Sequence, residues 1–319
     1  MKIKQIKIEK LFGLEKNDFD IECYPNENIT ILYAFNGTGK TTLLKLIYAV
    51  CNLKNDVEEE AKVIIENTSF KKIELFFDNY DSISVEKENP RGKDYKYFFN
   101  GCVVEAEVLN ERLKVLRVTQ IFANKTVNRG ASGIFPKELS SEESRDDGQR
   151  DYWELGFKPI FHVCKGIKDY VSQNKNLDKV TRFIDLINKE FGLEFKTLDV
   201  DKEQGLKARL TSEFDKSDES LSMFQLSSGE QNLITLFYEL MFEAVTDTPE
   251  QQSIVLLDEP ESSLHIDWQR NILKAVMGIC EKKNMQVLVA THSPDVIDEY
   301  FGLQAPMISD RYKNELFDE

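Results

Sequence analysis

Residues 34–42 read AFNGTGKTT; the strand formers Ile29–Tyr33 precede them and a helically spaced run from Leu43 to Leu53 follows. A strand, a glycine-rich turn and a helix in that order present backbone N–H groups and the positive end of a helix to an anion. Gly37 and Gly39 permit the tight loop, with Asn36, Thr38 and Thr42 lining it. Lys40 can reach the β- and γ-phosphates of a nucleotide, and Thr41 supplies a hydroxyl for Mg²⁺. The strict pattern GxxxxGK[ST] wants glycine where this chain has Ala34. The added methyl is tolerable if that residue keeps a negative φ. The alternative reading is a glycine-rich turn that caps a helix and binds nothing.

Three further stretches match this chemistry. Residues 254–265, IVLLDEPESSLH, describe a buried parallel strand whose carboxyl end opens on two acids, where ligands of open α/β sheets gather. Asp258 would hold Mg²⁺, directly or through water, and Glu259 would orient and polarise the attacking water. Residues 226–231, LSSGEQ, put Ser227, Ser228, Gly229 and Glu230 at the start of a helix, a second place for an anion. A plain N-cap explains such a serine equally well. Residues 291–294, THSP, end the strand Gln286–Ala290 and aim His292 at the same end of the sheet. His162 reads as structural and His265 as part of a loop.

The first third otherwise reads as strands: Ile3 to Ile8, Phe19–Cys23, Phe70–Phe77, Ser82–Glu86 and Tyr95–Phe99, the last meeting the hairpin signal Asn100-Gly101. Lys137–Asp151, KELSSEESRDDGQRD, reads as an exposed loop. Helical spacing then runs from Leu177 to Phe191, closed by Gly192, and again over Leu233–Ala244 and Asp267–Cys280. Of the 319 residues, 41 are Lys or Arg and 56 are Asp or Glu, a formal charge of −15, which argues against non-specific coating of DNA or anionic membrane. The five scattered cysteines, 23, 51, 102, 164 and 280, form no CxxC, so neither a disulfide framework nor a zinc site is expected. MKIKQIKIEK reads as a strand rather than a signal peptide, and no apolar run approaches membrane-spanning length. A cytoplasmic protein with no membrane partner is expected.

The order lysine loop, LSSGEQ, LLDEP and THSP resembles the ABC-type ATPases, with their Walker A, signature, Walker B, D-loop and switch histidine. The resemblance implies an α/β fold: an ABC-ATPase head, with a P-loop core sheet, flanking helices and an antiparallel β-subdomain, carrying an inserted, largely helical lobe. It divides the chain into 1–125, the Walker A half of the head; 126–222, the lobe; and 223–319, the half with signature, Walker B, D-loop and switch. It implies ATP and Mg²⁺ as ligands, Ser227 and Gly229 on the γ-phosphate bound by another subunit, Ser263–His265 as D-loop, and Gln120 in VLRVTQIF as the Q-loop glutamine. The active form it implies is a head-to-tail dimer, closed by ATP and opened by hydrolysis.

The signature begins 184 residues after the lysine loop ends, farther than in transporter subunits and similar to RecF-like, OLD and Septu (PtuA-like) ATPases. Long coiled coils and the CxxC of zinc-hook proteins are missing from the sequence. Only 27 residues follow His292, too few for a Toprim nuclease, so a separate effector chain such as a nuclease is expected beside an anti-phage defence ATPase. The alternatives are a RecF/SMC-like DNA-repair ATPase, a transporter ATP-binding subunit and a slow nucleotide-dependent scaffold. The DNA alternative needs a basic channel, for which the sequence offers Lys2, Lys4, Lys7, Lys10, Lys71, Lys72, Arg91, Lys93 and Lys96, or else a merely solvated strand face.

Overall fold

The computed structural model describes residues 1–53, 58–122, 158–201, 205–211, 220–244, 251–283 and 285–308; the loop expected at 137–151 lies outside them. In chain order the strands are β1 (Ile3–Glu9), β2 (Phe19–Glu22), β3 (Ile29–Tyr33), β4 (Lys72–Phe77), β5 (Ser82–Lys87), β6 (Tyr95–Phe99), β7 (Cys102–Val104), β8 (Leu116–Phe122), β9 (Lys196–Asp201), β10 (Gly205–Leu210), β11 (Ser220–Leu221), β12 (Gln252–Asp258), β13 (Met285–Thr291) and β14 (Gln304–Pro306). The longer helices are α1 (Lys40–Cys51), α2 (Glu58–Asn67), α3 (Ala106–Arg112), α4 (Lys158–Ser172), α5 (Leu177–Leu186), α6 (Ser228–Tyr238) and α7 (Ile266–Cys280). Among the described residues no helix is long and apolar enough to cross a membrane. Two compact units result. The first comprises Met1–Phe122, Ala244–Pro260 and Val276–Glu319; the second, Ala123–Glu243 and Glu261–Ala275.

The first unit holds two sheets. One is parallel, in the order β14-β3-β13-β12-β8. Every residue of β12 and β13 is buried, which explains their near-continuous Val, Ile and Leu. Leu32 pairs with Ala290 and Ala290 with Asp258, so the carboxyl ends of β3, β13 and β12 finish level. Helix α1 lies buried along most of its length against β8, β12 and β13. Each such Leu or Ile contributes about 1.5–3 kcal/mol through burial.

The other sheet of this unit is antiparallel, in the order β2-β1-β4-β5-β6-β7. Its hairpin at Asn100-Gly101 has φ of 49° and 78°, the two positive values a type I′ turn requires. The buried Gln286 side chain of β13 joins the two sheets: it accepts from the Ile3 amide and donates to the Ile3 carbonyl, both at 2.7 Å. Lys87, also fully buried, donates to the carbonyls of Glu66, Thr68 and Gly92 at 3.2, 2.9 and 2.8 Å. That tie fixes the end of α2, a helix not anticipated from the sequence.

In the second unit, α5 runs into a wider turn over Ile187–Phe191 that stops at Gly192, whose φ is 56°. Helix α6 likewise continues as Glu239–Glu243. Helix α4 packs on α6 at Gly166, where a Cβ would stand 1.8 Å from the Tyr238 hydroxyl. Tyr238 stacks on Phe242, and Phe183 meets both rings edge-on. His162 pairs with Glu243 beside them. The region expected to be largely helical also carries a small antiparallel sheet, β11-β10-β9.

Candidate active site

The loop between β3 and α1 is a shallow arch of backbone. Gly37 and Gly39 have φ of 80° and 101°, left-handed values that favour glycine, and nothing lies within 4 Å of where a Gly37 Cβ would be. Ala34 is not among the residues with positive φ, which is the condition its methyl requires. Gly39 is the N-cap of α1 and, being glycine, brings no side chain of its own to cap the helix. Lys40 is buried, and its ammonium donates to the carbonyls of Ala34 at 2.6 Å and Phe35 at 3.0 Å, across the mouth of the loop. Thr38 Oγ1 donates to the Phe35 carbonyl at 2.9 Å and tightens the arch. Asn36 and Gly37 are exposed; Thr41 and Thr42 are half-buried.

Thr41 Oγ1 donates to Asp258 Oδ1 at 3.1 Å, joining the first turn of α1 to the end of β12. A hydroxyl beside a carboxylate is an oxygen donor set suited to a hard divalent cation. Among the described residues no three His, Cys, Asp or Glu side chains gather as ligands, so a cation there would draw its other oxygens from phosphate and water. Glu259 has φ of 47°, uncommon for this residue, and its amide donates to the Ala290 carbonyl at 2.8 Å, which fixes the turn. Its Oε1 lies 3.3 Å from His292 Nδ1. Both side chains remain partly open to solvent. The level ends of β3, β13 and β12 thus bring Lys40, Thr41, Asp258, Glu259 and His292 to one edge of one sheet.

Gln120 belongs to the same sheet but two rungs below that edge, opposite Leu256 rather than Asp258. Its side-chain nitrogen is buried without a hydrogen-bond partner.

Ser227, Ser228, Gly229 and Glu230 lie in the second unit, at the start of α6. Ser227 Oγ accepts from the Glu230 amide at 3.3 Å, and Glu230 Oε2 accepts from the Ser227 amide at 2.7 Å, a reciprocal capping box. Glu230 Oε1 accepts from Lys196 Nζ at 2.7 Å. Burial pushes the Glu230 carboxyl up, but the Lys196 and Ser227 bonds outweigh it and hold it below the usual carboxylate range. A Cβ on Gly229 would come within 2.6 Å of the Ser263 carbonyl, so Gly229 sits tightly on residue 263, itself at φ 67°. Trp268 Nε1 donates to the Phe191 carbonyl at 2.8 Å and Asn271 Nδ2 to that of Glu190 at 3.1 Å, holding the segment after Ser263 in the same unit.

Three of these residues escape sequence reasoning. Phe12 lies with its ring edge 3.1 Å from where a Gly39 Cβ would be, an aromatic beside the β3–α1 loop with no spacing to announce it. Lys196 and Trp268 act through partners 34 and 77 positions away. The basic residues counted as a possible DNA track are largely paired: Lys7 with Asp20, Lys10 with Glu15, Lys71 with Glu86, Lys72 with Glu74 and Lys96 with Glu88, at 2.6–3.5 Å. Lys2 Nζ donates to the Pro25 carbonyl and to Asn28 Oδ1.

Comparison with known proteins agrees with this geometry. A family described as "AAA domain, putative AbiEii toxin, Type IV TA system" matches residues 135–298, just over half of the chain. The Escherichia coli protein named "Retron Ec83 probable ATPase" is 38% identical over 90 residues, 26% of this chain and 16% of that protein. The Vibrio cholerae protein named "Retron Vc95 probable ATPase" is 22% identical over 364 residues, covering 89% of this chain and 69% of that one. The chain therefore spans only part of the length of these curated relatives. The SMC head domain from Thermotoga maritima superposes with a TM-score of 0.51 at 17% identity, over 93% of this chain and 92% of that one. The fold is that of an SMC-type ATPase head.

Proposed function

This chain belongs to the AAA-domain family that matches it and is a P-loop ATPase of the ABC type, RecF/SMC/OLD-like branch; from that premise we propose that it binds ATP and Mg²⁺ and hydrolyses the γ-phosphate as a nucleotide-gated dimer. One observation carries this reading: Thr41 touches Asp258 at 3.1 Å while Glu259 and His292 stand side by side on the neighbouring strand ends. The first turn of α1 and the arch at Gly37 and Gly39 cradle the phosphates, with Asn36, Thr38 and Thr42 lining the arch. Lys40 exchanges its two carbonyl acceptors for phosphate oxygens, a stronger charge-assisted bond. Thr41 and Asp258 hold Mg²⁺, which when bound neutralises charge on the phosphates. Glu259 orients a water and takes its proton, and His292 at 3.3 Å holds that carboxylate in place. Phe12 gives the base an aromatic face next to the loop.

Ser227 and Gly229, with Ser228 and Glu230 behind them, complete the site of a second copy head to tail, so ATP closes the dimer and hydrolysis opens it. Gln120 is kept as the Q-loop candidate, and the division 1–125, 126–222 and 223–319 as halves of a head around a lobe. In the cytoplasm this chain acts as the ATPase subunit of an anti-phage defence complex beside a separate effector such as a nuclease. The branch resemblance and the retron names of two relatives support that extension. The DNA-repair alternative is weaker, because five of the nine basic residues counted for a DNA track already face a carboxylate. Light scattering of purified Glu259→Gln tests the switch: a dimer's mass with ATP and a monomer's with ADP is expected. A monomer in saturating ATP contradicts it.

A further inference from the structure

The signature helix carries a carboxylate at the end that is meant to meet a triphosphate. Glu230 is the third residue of α6, almost wholly buried, and its Oε2 is engaged with the Ser227 amide at 2.7 Å. An acid there favours the helix itself, but it opposes any anion approaching the same amides. The structure supplies a counter-ion from far along the chain. Lys196, the first residue of β9, places Nζ 2.7 Å from Glu230 Oε1 and is itself mostly buried. The backbone makes an effort to deliver it. Lys196 closes a turn by donating from its amide to the Leu193 carbonyl at 3.1 Å, and within that turn Phe195 takes φ 56° with its ring exposed. Left-handed φ for a bulky aromatic costs free energy and persists where its surroundings impose it.

We infer that Lys196 is a positioning residue for ATP hydrolysis: it neutralises and anchors Glu230, so that Ser227 and the first turn of α6 face the partner's nucleotide without a net negative charge behind them. The inference rests on the preceding reading that Ser227 and Gly229 meet a nucleotide held by a second copy. Its chemistry gives a specific signature. Glutamine at position 230 needs no counter-ion, and its amide oxygen still accepts from Ser227. Removing Lys196 is therefore harmful only while Glu230 can carry charge. Among the described residues Lys196 supplies the positive charge that holds the Glu230 carboxyl down, and the Ser227 bonds that remain without it carry no charge to balance the carboxylate.

The test uses the full chain as wild type, Lys196→Met, Lys196→Arg, Glu230→Gln and Lys196→Met/Glu230→Gln, with Lys40→Ala as the blank. Turnover is measured from pH 6 to 8, and affinity with a fluorescent ATP analogue. We expect turnover of Lys196→Met to fall about tenfold or more while its ATP affinity stays within about twofold, because the phosphate loop is untouched. Across that pH range Lys196→Arg keeps most activity, and the double variant returns to the level of Glu230→Gln. Wild-type turnover in Lys196→Met, or a folded double variant no better than Lys196→Met, overturns the inference. If Lys196→Met fails to fold, the folded Lys196→Arg and double variants decide it by the same comparison. Wild type no faster than Lys40→Ala instead overturns the ATPase reading, and this inference with it.

Discussion

Two helix starts in this molecule look alike in sequence and differ in their hydrogen bonds. Both carry glycine and hydroxyl residues across the start of the helix: GTGKTT runs into α1 in the first unit and LSSGEQ into α6 in the second. Helix α1 has Gly39 as its N-cap, with φ 101° and no side chain of its own to cap it, and its lysine bends back over the loop. Helix α6 begins at Ser227 with a complete capping box and a lysine that neutralises the cap's carboxylate. The first is a helix end whose cap residue has no side chain, the kind of end that suits a phosphate. The second is finished by its own side chains and offers a rigid, exposed serine edge. The difference teaches that two similar glycine- and hydroxyl-rich stretches can start a helix with and without side-chain caps.

The largest way to break this contrast is Lys40→Ala. Removing the ammonium should weaken ATP binding at least about a hundredfold by titration calorimetry, with the far-ultraviolet spectrum unchanged. Tightening the open end comes next. Gly39→Ala puts a Cβ 2.8 Å from Leu11 Cδ2 at a φ that alanine resists, and should cost about 1–3 kcal/mol in chemical denaturation and weaken nucleotide binding with it. At the finished end, Ser227→Ala removes one half of the capping box and should cost about 1 kcal/mol, read as a lower denaturation midpoint. The smallest effect is a pH dependence. The Glu230 carboxyl is held below its ordinary value, so its stabilisation is present above that value and is lost as pH falls through the lowered one. The stability gap between wild type and Glu230→Gln should be full at neutral pH and narrow in acid, by melting at pH 7 and pH 4.

The first unit was largely legible because its signals are local. Alternation marked β1, the buried run Ile254–Leu257 marked β12, and Asn100-Gly101 marked its hairpin. The lysine loop could be read from nine consecutive residues, and the structure brings it to Asp258 through the level strand ends. The second unit was less legible because its determinants are distant or composite. The strands β9 to β11 are largely half-buried and lack a clean alternation, and Lys196 has no pattern that points to Glu230. Helix α2 escaped because its stretch, EEEAKVIIEN, mixes acids with a short apolar run, and its end is secured by the buried Lys87, twenty positions on. The π-turns that extend α5 and α6 lie within patterns that read simply as helix. Phe12 is placed by its own left-handed backbone, which no periodicity encodes.

The central claim is that the carboxylate at the end of β12 serves hydrolysis while the lysine loop serves binding. Side-by-side measurement of ATP affinity and turnover in Glu259→Gln tests it most directly. The account predicts affinity at or above that of wild type, with turnover reduced by about a hundredfold or more. Hydrolysis by Glu259→Gln at the wild-type rate would contradict it.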